Sequence, residues 1–80
     1  MNATNTNPMK IIKETGHYDL NGHFFKTTIK FIDNEEITIR MGNEIIMKDE
    51  VLSVYAYKYG KVMPDFWNFN AILSIEIEEE

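Results

Sequence analysis

From residue 51 to residue 59 the chain reads Val-Leu-Ser-Val-Tyr-Ala-Tyr-Lys-Tyr. Leu52, Val54 and Ala56 fall on one parity; Tyr55, Tyr57 and Tyr59 fall on the other. Side chains on a strand alternate between faces with period two. The stretch therefore predicts a β-strand with an aliphatic face for a core and a tyrosine face turned away from it. No segment of ten or more residues carries the periodicity of an amphipathic helix.

The rest of the pattern extends this reading. Residues 1–8 are polar and end in Pro8, which predicts a loose tail, followed by a single β domain over residues 9–80. Met9 to Leu20 reads as extended, with a bulge near Gly16. Asn21-Gly22 marks a two-residue hairpin turn, because both central positions of a type I′ turn need positive φ. That turn sets Tyr18 opposite Phe25 and Leu20 opposite His23. From His23 to Ile32, one face carries Phe25, Thr27, Ile29 and Phe31; the other carries Lys26, Thr28 and Lys30. A three-residue loop at Asp33-Asn34-Glu35 then pairs Phe31 with Ile37, Ile29 with Ile39 and Thr27 with Met41, which satisfies every apolar position on that face.

Gly42-Asn43 reads as another tight turn and Glu44 to Lys48 as a short strand. Its consecutive Ile45, Ile46 and Met47 suit a strand covered on both sides, or a corner where the sheet bends. Gly60 to Asn70, interrupted by Pro64, reads as a long loop with an aromatic tip, Phe66-Trp67-Asn68-Phe69. Ala71 to Glu78 is the last strand, with Leu73, Ile75 and Ile77 inward. The expected fold class is all-β: a small antiparallel meander of five or six strands forming a partly open barrel or a strongly bent sheet.

Composition narrows the context. A chain of 80 residues buries only about 60–65% of its unfolded surface. It contains no cysteine, so neither disulfides nor cysteine zinc ligands support it. Extra burial through homo-oligomerisation is then an expected source of stability. No basic and apolar leader and no apolar run of membrane-spanning length are present, which predicts a cytoplasmic protein without membrane contact. Seven of the eight basic residues are lysine. With abundant Ile and Asn, this is the usage AT-rich codons supply, and it points to a low-GC bacterium or one of its phages, the host cytoplasm being the location in the second case. The net charge of −5 speaks against non-specific nucleic-acid binding.

Candidate chemistry is sparse. His17, Asp19 and His23 look like an acid–base or metal cluster, but the hairpin register divides them between two faces, so no metal site is expected. No glycine-rich phosphate loop, nucleophile elbow or His-Glu-x-x-His motif occurs. The chain therefore reads as a non-enzyme without a cofactor. Two surfaces remain. Tyr55, Tyr57, Tyr59, Phe66 and Trp67 are candidate partner-binding residues, because Tyr and Trp are rigid, amphipathic anchors; cross-strand packing on a half-exposed sheet would use the same residues. Lys26, Lys30 and Arg40 share the polar face of the early strands and form a candidate anion site.

The leading expectation is an interaction module that contacts itself or another protein through the tyrosine strand and the aromatic loop. One alternative is a small acidic inhibitor, phage-encoded, that blocks the basic groove of a host nuclease or defence protein with its clustered carboxylates. The other is a binder of a nucleotide or oligonucleotide, using the Lys/Arg patch and tyrosine stacking.

Overall fold

The computed structural model describes residues 7–80. Most of the tail expected over residues 1–8 thus lies outside the described residues. Asn7 and Pro8 begin an α-helix, α1 (Pro8–Thr15), where extended chain was expected. The Asn7 side chain accepts a hydrogen bond from the Lys10 N–H at 3.3 Å. Pro8 sits at the start of the helix, where a missing N–H costs nothing, and Gly16 ends it in a left-handed conformation. Two turns are too few to display a period. They suffice to bury Ile12 completely, which is worth about 1.5–3 kcal/mol for a side chain of that size.

Six strands follow: β1 (His17–Tyr18), β2 (Phe25–Phe31), β3 (Glu36–Lys48), β4 (Val51–Lys58), β5 (Lys61–Asn68) and β6 (Ile72–Glu79). All pair antiparallel, in the order β5-β4-β3-β2-β6, with β1 attached to β3. The fold is all-β. Strands β2 to β5 form a meander and β6 returns to lie beside β2, so the bent sheet keeps two edges and does not close.

The bend is made within β3. Gly42-Asn43 is not a turn: β3 runs through it as one strand. Met41 takes φ 57°, and both ladders slip nearby, between Phe25 and Thr27 on the β2 side and between Gly42 and Glu44 on the β4 side. Extra residues of this kind bend a strand sharply. Gly42 is required by close approach, since a Cβ there would lie 2.8 Å from Phe25 Cε1 and 2.9 Å from the Phe25 carbonyl oxygen. Phe25 is fully buried and has nowhere to go.

The Asn21-Gly22 turn forms, with φ of 53° and 89° and the His23 N–H donating to the Leu20 carbonyl at 3.0 Å. The expected ladder across it does not. β1 pairs with β3 instead, His17 opposite Ile46 and Tyr18 opposite Ile45. Helix α1 delivers the chain there, and the Met47 N–H donates to the Gly16 carbonyl at 2.9 Å. Tyr18 still meets Phe25, edge to face, with ring centroids 6.1 Å apart.

The β2–β3 register is displaced by two residues from the expected one. Ile29 pairs with Ile37, Thr28 with Thr38 and Thr27 with Ile39; Phe31 and Ile37, and Ile29 and Ile39, are not direct partners. The loop is Ile32-Asp33-Asn34, closed by the Phe31 N–H donating to the Glu35 carbonyl at 2.8 Å. A three-residue loop needs its last residue left-handed. Asn34 takes that role at φ 72°, and asparagine tolerates it better than Glu35 would. A two-residue shift preserves parity, so the inward face is the expected one.

Residues 61–68 form a strand rather than a loop, joined to β4 by a tight turn at Tyr59-Gly60. Pro64 is tolerated because β5 is an edge. A 3-10 turn, Phe69–Ala71, then carries the chain from the Glu50 carbonyl, bonded by the Phe69 N–H at 2.8 Å, to Ile32, whose N–H donates to Ala71 at 3.0 Å. In β6 a slip opposite Lys30 and Phe31 sends Ile72 inward and Leu73 outward, the reverse of the expectation for Leu73. The core collects Ile12, Phe25, Ile29, Ile45, Leu52, Val54, Ala56, Phe69, Ile75 and Ile77.

Candidate functional site

Strand β4 has the two-faced character its sequence predicts. Leu52, Val54 and Ala56 are wholly buried. On the opposite parity, Val51, Ser53, Tyr55 and Tyr57 pair with Asn68, Phe66, Pro64 and Val62 of β5. Paired residues share a face, so the outer side of the β4–β5 ribbon presents Val51, Tyr55, Tyr57, Val62, Pro64 and Phe66 together. Four of these are exposed: Val51 41%, Tyr57 46%, Val62 45% and Phe66 60%. Tyr55 and Pro64 are half-buried between them. The Tyr57 ring extends the patch to Phe24, with centroids 6.2 Å apart.

The expected partner-binding residues therefore divide. Tyr55, Tyr57 and Phe66 lie on this face. Tyr59 does not continue the strand: it occupies the β4–β5 turn at φ 52° and is 95% exposed. Trp67 pairs with Leu52 and so points to the inner side, half-buried against the core. The aromatic tip thus splits into Phe66 outside, Trp67 inside and Phe69 as a core residue. Val51, Val62 and Pro64 complete the patch without having been singled out. The signal for Val62 and Pro64 was the parity of β5, hidden once Pro64 made the segment read as a loop; Val51 shares the parity of Tyr55 and Tyr57 on β4.

The outer edge of the ribbon is interrupted. With Lys58 and Lys61 closing a two-residue turn, ladder hydrogen bonds alternate outward from that pair, which leaves Pro64 at a position facing away from β4. The free edge consequently lacks a donor at its centre, a feature that discourages strand-by-strand addition.

Beyond the bend, β3 and the ribbon part company. The cleft between them, ≈ 510 Å³, is lined by Ile37, Ile39, Met41, Tyr57, Lys58, Asp65 and Trp67, among others. Its charged groups are already matched: Lys58 bonds Asp65, and Arg40 bonds Glu80. The Met41 N–H also donates to Glu80, at 2.7 Å. That bond, with the Arg40 guanidinium, holds the Glu80 carboxyl below its usual range.

The proposed anion residues Lys26, Lys30 and Arg40 do share the outer face of β2 and the first half of β3. Each stands beside a carboxylate, Glu78 at 3.0 Å, Glu36 at 4.0 Å and Glu80 respectively. The histidines are similarly engaged. His17 Nε2 lies 2.8 Å from Glu44 and 3.5 Å from Asp19, and His23 Nδ1 lies 3.3 Å from Glu79. Among the described residues, no group of three or more potential ligands converges on a metal position, and no helix is long and apolar enough to cross a membrane. Comparison with family models, curated proteins and solved structures gives no match for this chain.

Proposed function

We propose that this protein is a non-enzymatic interaction module whose contact surface is the outer face of the β4–β5 ribbon. One observation carries the reading: Val51, Tyr55, Tyr57, Val62, Pro64 and Phe66 share one face of the ribbon, and among the described residues Val51, Tyr57, Val62 and Phe66 stay exposed on it. A ribbon needs one apolar face to fold, and Leu52, Val54 and Ala56 already supply it. A second one adds only cross-strand pair contacts of about 0.2–1 kcal/mol each, and contiguous exposed apolar patches mark sites of association. Aromatic residues at the middle of such a patch, ringed by polar ones, are the usual anchors. The interrupted β5 edge favours docking against the face over addition of a strand.

The test compares immobilised parent protein with a Phe66→Ser variant in capture from a bacterial lysate, the bound proteins being identified and quantified. Phe66 is exposed, so the variant should keep the parent's melting behaviour. A bound species that is near-stoichiometric on the parent and lost on the variant supports the face. Identical bound sets on two folded baits refute it.

A further inference from the structure

We infer that two copies of this chain pair edge to edge through the first half of β3, about a two-fold axis at Thr38. This edge is separate from the outer face of the ribbon. Strand β4 stays with β3 only from Gly42 to Lys48, so residues 36–41 pair with β2 alone. Hydrogen-bonded and non-bonded pairs alternate along an antiparallel ladder, and the Phe31 N–H bonds the Glu35 carbonyl at the loop. Ile37 and Ile39 therefore turn their amides and carbonyls to β2. Glu36, Thr38 and Arg40 turn theirs the other way, to a side that β4 has left. All three residues are exposed. Backbone donors and acceptors at this spacing are what another extended strand recognises.

The residues along the edge specify which strand. Glu36-Ile37-Thr38-Ile39-Arg40 is complementary to its own reverse. Antiparallel pairing centred on Thr38 sets Glu36 opposite the second copy's Arg40, once at each end. Thr38 meets Thr38, and each has Thr28 beside it on β2. On the inner face Ile37 meets Ile39 twice. Opposite charges, paired threonines and paired apolar β-branched side chains are favourable cross-strand neighbours. Other registers lose this match. Centring on Glu36 or on Arg40 opposes like charges. Centring on Ile37 sets Glu35 against Ile39 on the inner face, and centring on Ile39 runs Glu36 onto Gly42, whose edge β4 occupies.

The other edges are less suited. That of β5 contains Pro64, and self-pairing of β6 would crowd Glu76, Glu78 and Glu79 together. Arg40 bonds Glu80 through Nε, which leaves the terminal nitrogens of its guanidinium for the second copy's Glu36. Beside the edge lies the ≈ 510 Å³ cleft, where Ile39, Met41 and Trp67 can meet the incoming Ile37 and Ile39.

Sedimentation equilibrium from low micromolar to low millimolar concentration, with amide hydrogen exchange on the same samples, is the test. The parent should approach twice its 9.4 kDa mass. Exchange at Glu36, Thr38 and Arg40 should slow about tenfold from the dilute to the concentrated sample. Glu36 is exposed, with Lys30 at 4.0 Å, so Glu36→Lys should keep the parent's melt. It should weaken the dimer about tenfold by opposing like charges at both ends. Phe66→Ser should dimerise like the parent, since the ribbon face takes no part. A parent that stays monomeric throughout overturns the edge pairing and leaves the ribbon face to its own test. A dimer abolished by Phe66→Ser, or one in which these three amides exchange as fast as in the monomer, also overturns it. A dimer indifferent to Glu36→Lys overturns the register centred on Thr38.

Discussion

Thr27 is fully buried in the middle of β2, and its Oγ1 has no hydrogen-bond partner among the described residues. A buried hydroxyl without a partner costs about 1–3 kcal/mol. Valine has nearly the same shape and the same β-branching without that cost. Thr27→Val should therefore raise stability by about 1–2 kcal/mol. In a domain of this size that corresponds to a rise in melting temperature of about 4–8 °C per kcal/mol. A lower melting temperature would mean the hydroxyl is satisfied in solution. Strand parity alone placed Thr27 inward. Whether its hydroxyl finds an acceptor depends on β3 and β6 packed around it, which no local pattern specifies. Gly42 illustrates the same limit: a glycine before an asparagine reads as a turn, whereas here the glycine makes room for the Phe25 ring.

Among the elements, turns with well-matched residues were the most legible and turns with mismatched residues the least. Asn21-Gly22 is read at sight. The Tyr59-Gly60 turn has the same pair of positive φ angles, 52° and 84°, but begins with a tyrosine, which pays for the left-handed conformation with strain. Together with Pro64, this concealed β5. Helix α1 was framed by recognisable signals, Asn7-Pro8 before it and Gly16 after it. Its two turns lacked the length for a periodic signature. In β2–β3 the left-handed preference of Asn34 would have fixed the loop, but hydrophobic matching accepts both registers of equal parity.

The Tyr59 mismatch yields a prediction. Tyr59→Asn should stabilise the fold by about 0.5–1 kcal/mol, because asparagine relieves the strain and the tyrosine ring contributes almost no burial. Urea denaturation measures the gain. If the ring also belongs to the contact face, capture of a bound partner will fall in the more stable variant. Unchanged capture would end the contact surface at Tyr57.

For the whole molecule, the sequence pattern separated inside from outside along β2 and β4, while it reads β5 as a loop and places Leu73 of β6 on the wrong side. It could not foresee that β6 returns to β2, or that β3 bends so far that its first half leaves the ribbon. Those are long-range choices, and the bend is secured by one residue distant in sequence. Glu80 accepts from the Met41 N–H at 2.7 Å and pairs with Arg40, while its own N–H donates to the Phe24 carbonyl at 2.9 Å. Its side chain thus braces the strained Met41 at the point where the sheet folds over.

Only the ionised carboxylate can serve both the amide and the guanidinium, and its pKa is accordingly held below the ordinary 4.5. A depressed folded-state pKa gives stabilisation that is complete above the unfolded value and disappears as pH falls through the folded one. The stability difference between the parent and Glu80→Gln should therefore be constant above about pH 5.5 and shrink steadily below about pH 4. Amide exchange at Met41 should accelerate in the variant at neutral pH and approach the parent's rate in acid. Urea titrations across this range decide the matter. A difference that persists undiminished at about pH 3, where an ordinary carboxyl is protonated, would show that the brace acts through packing rather than charge.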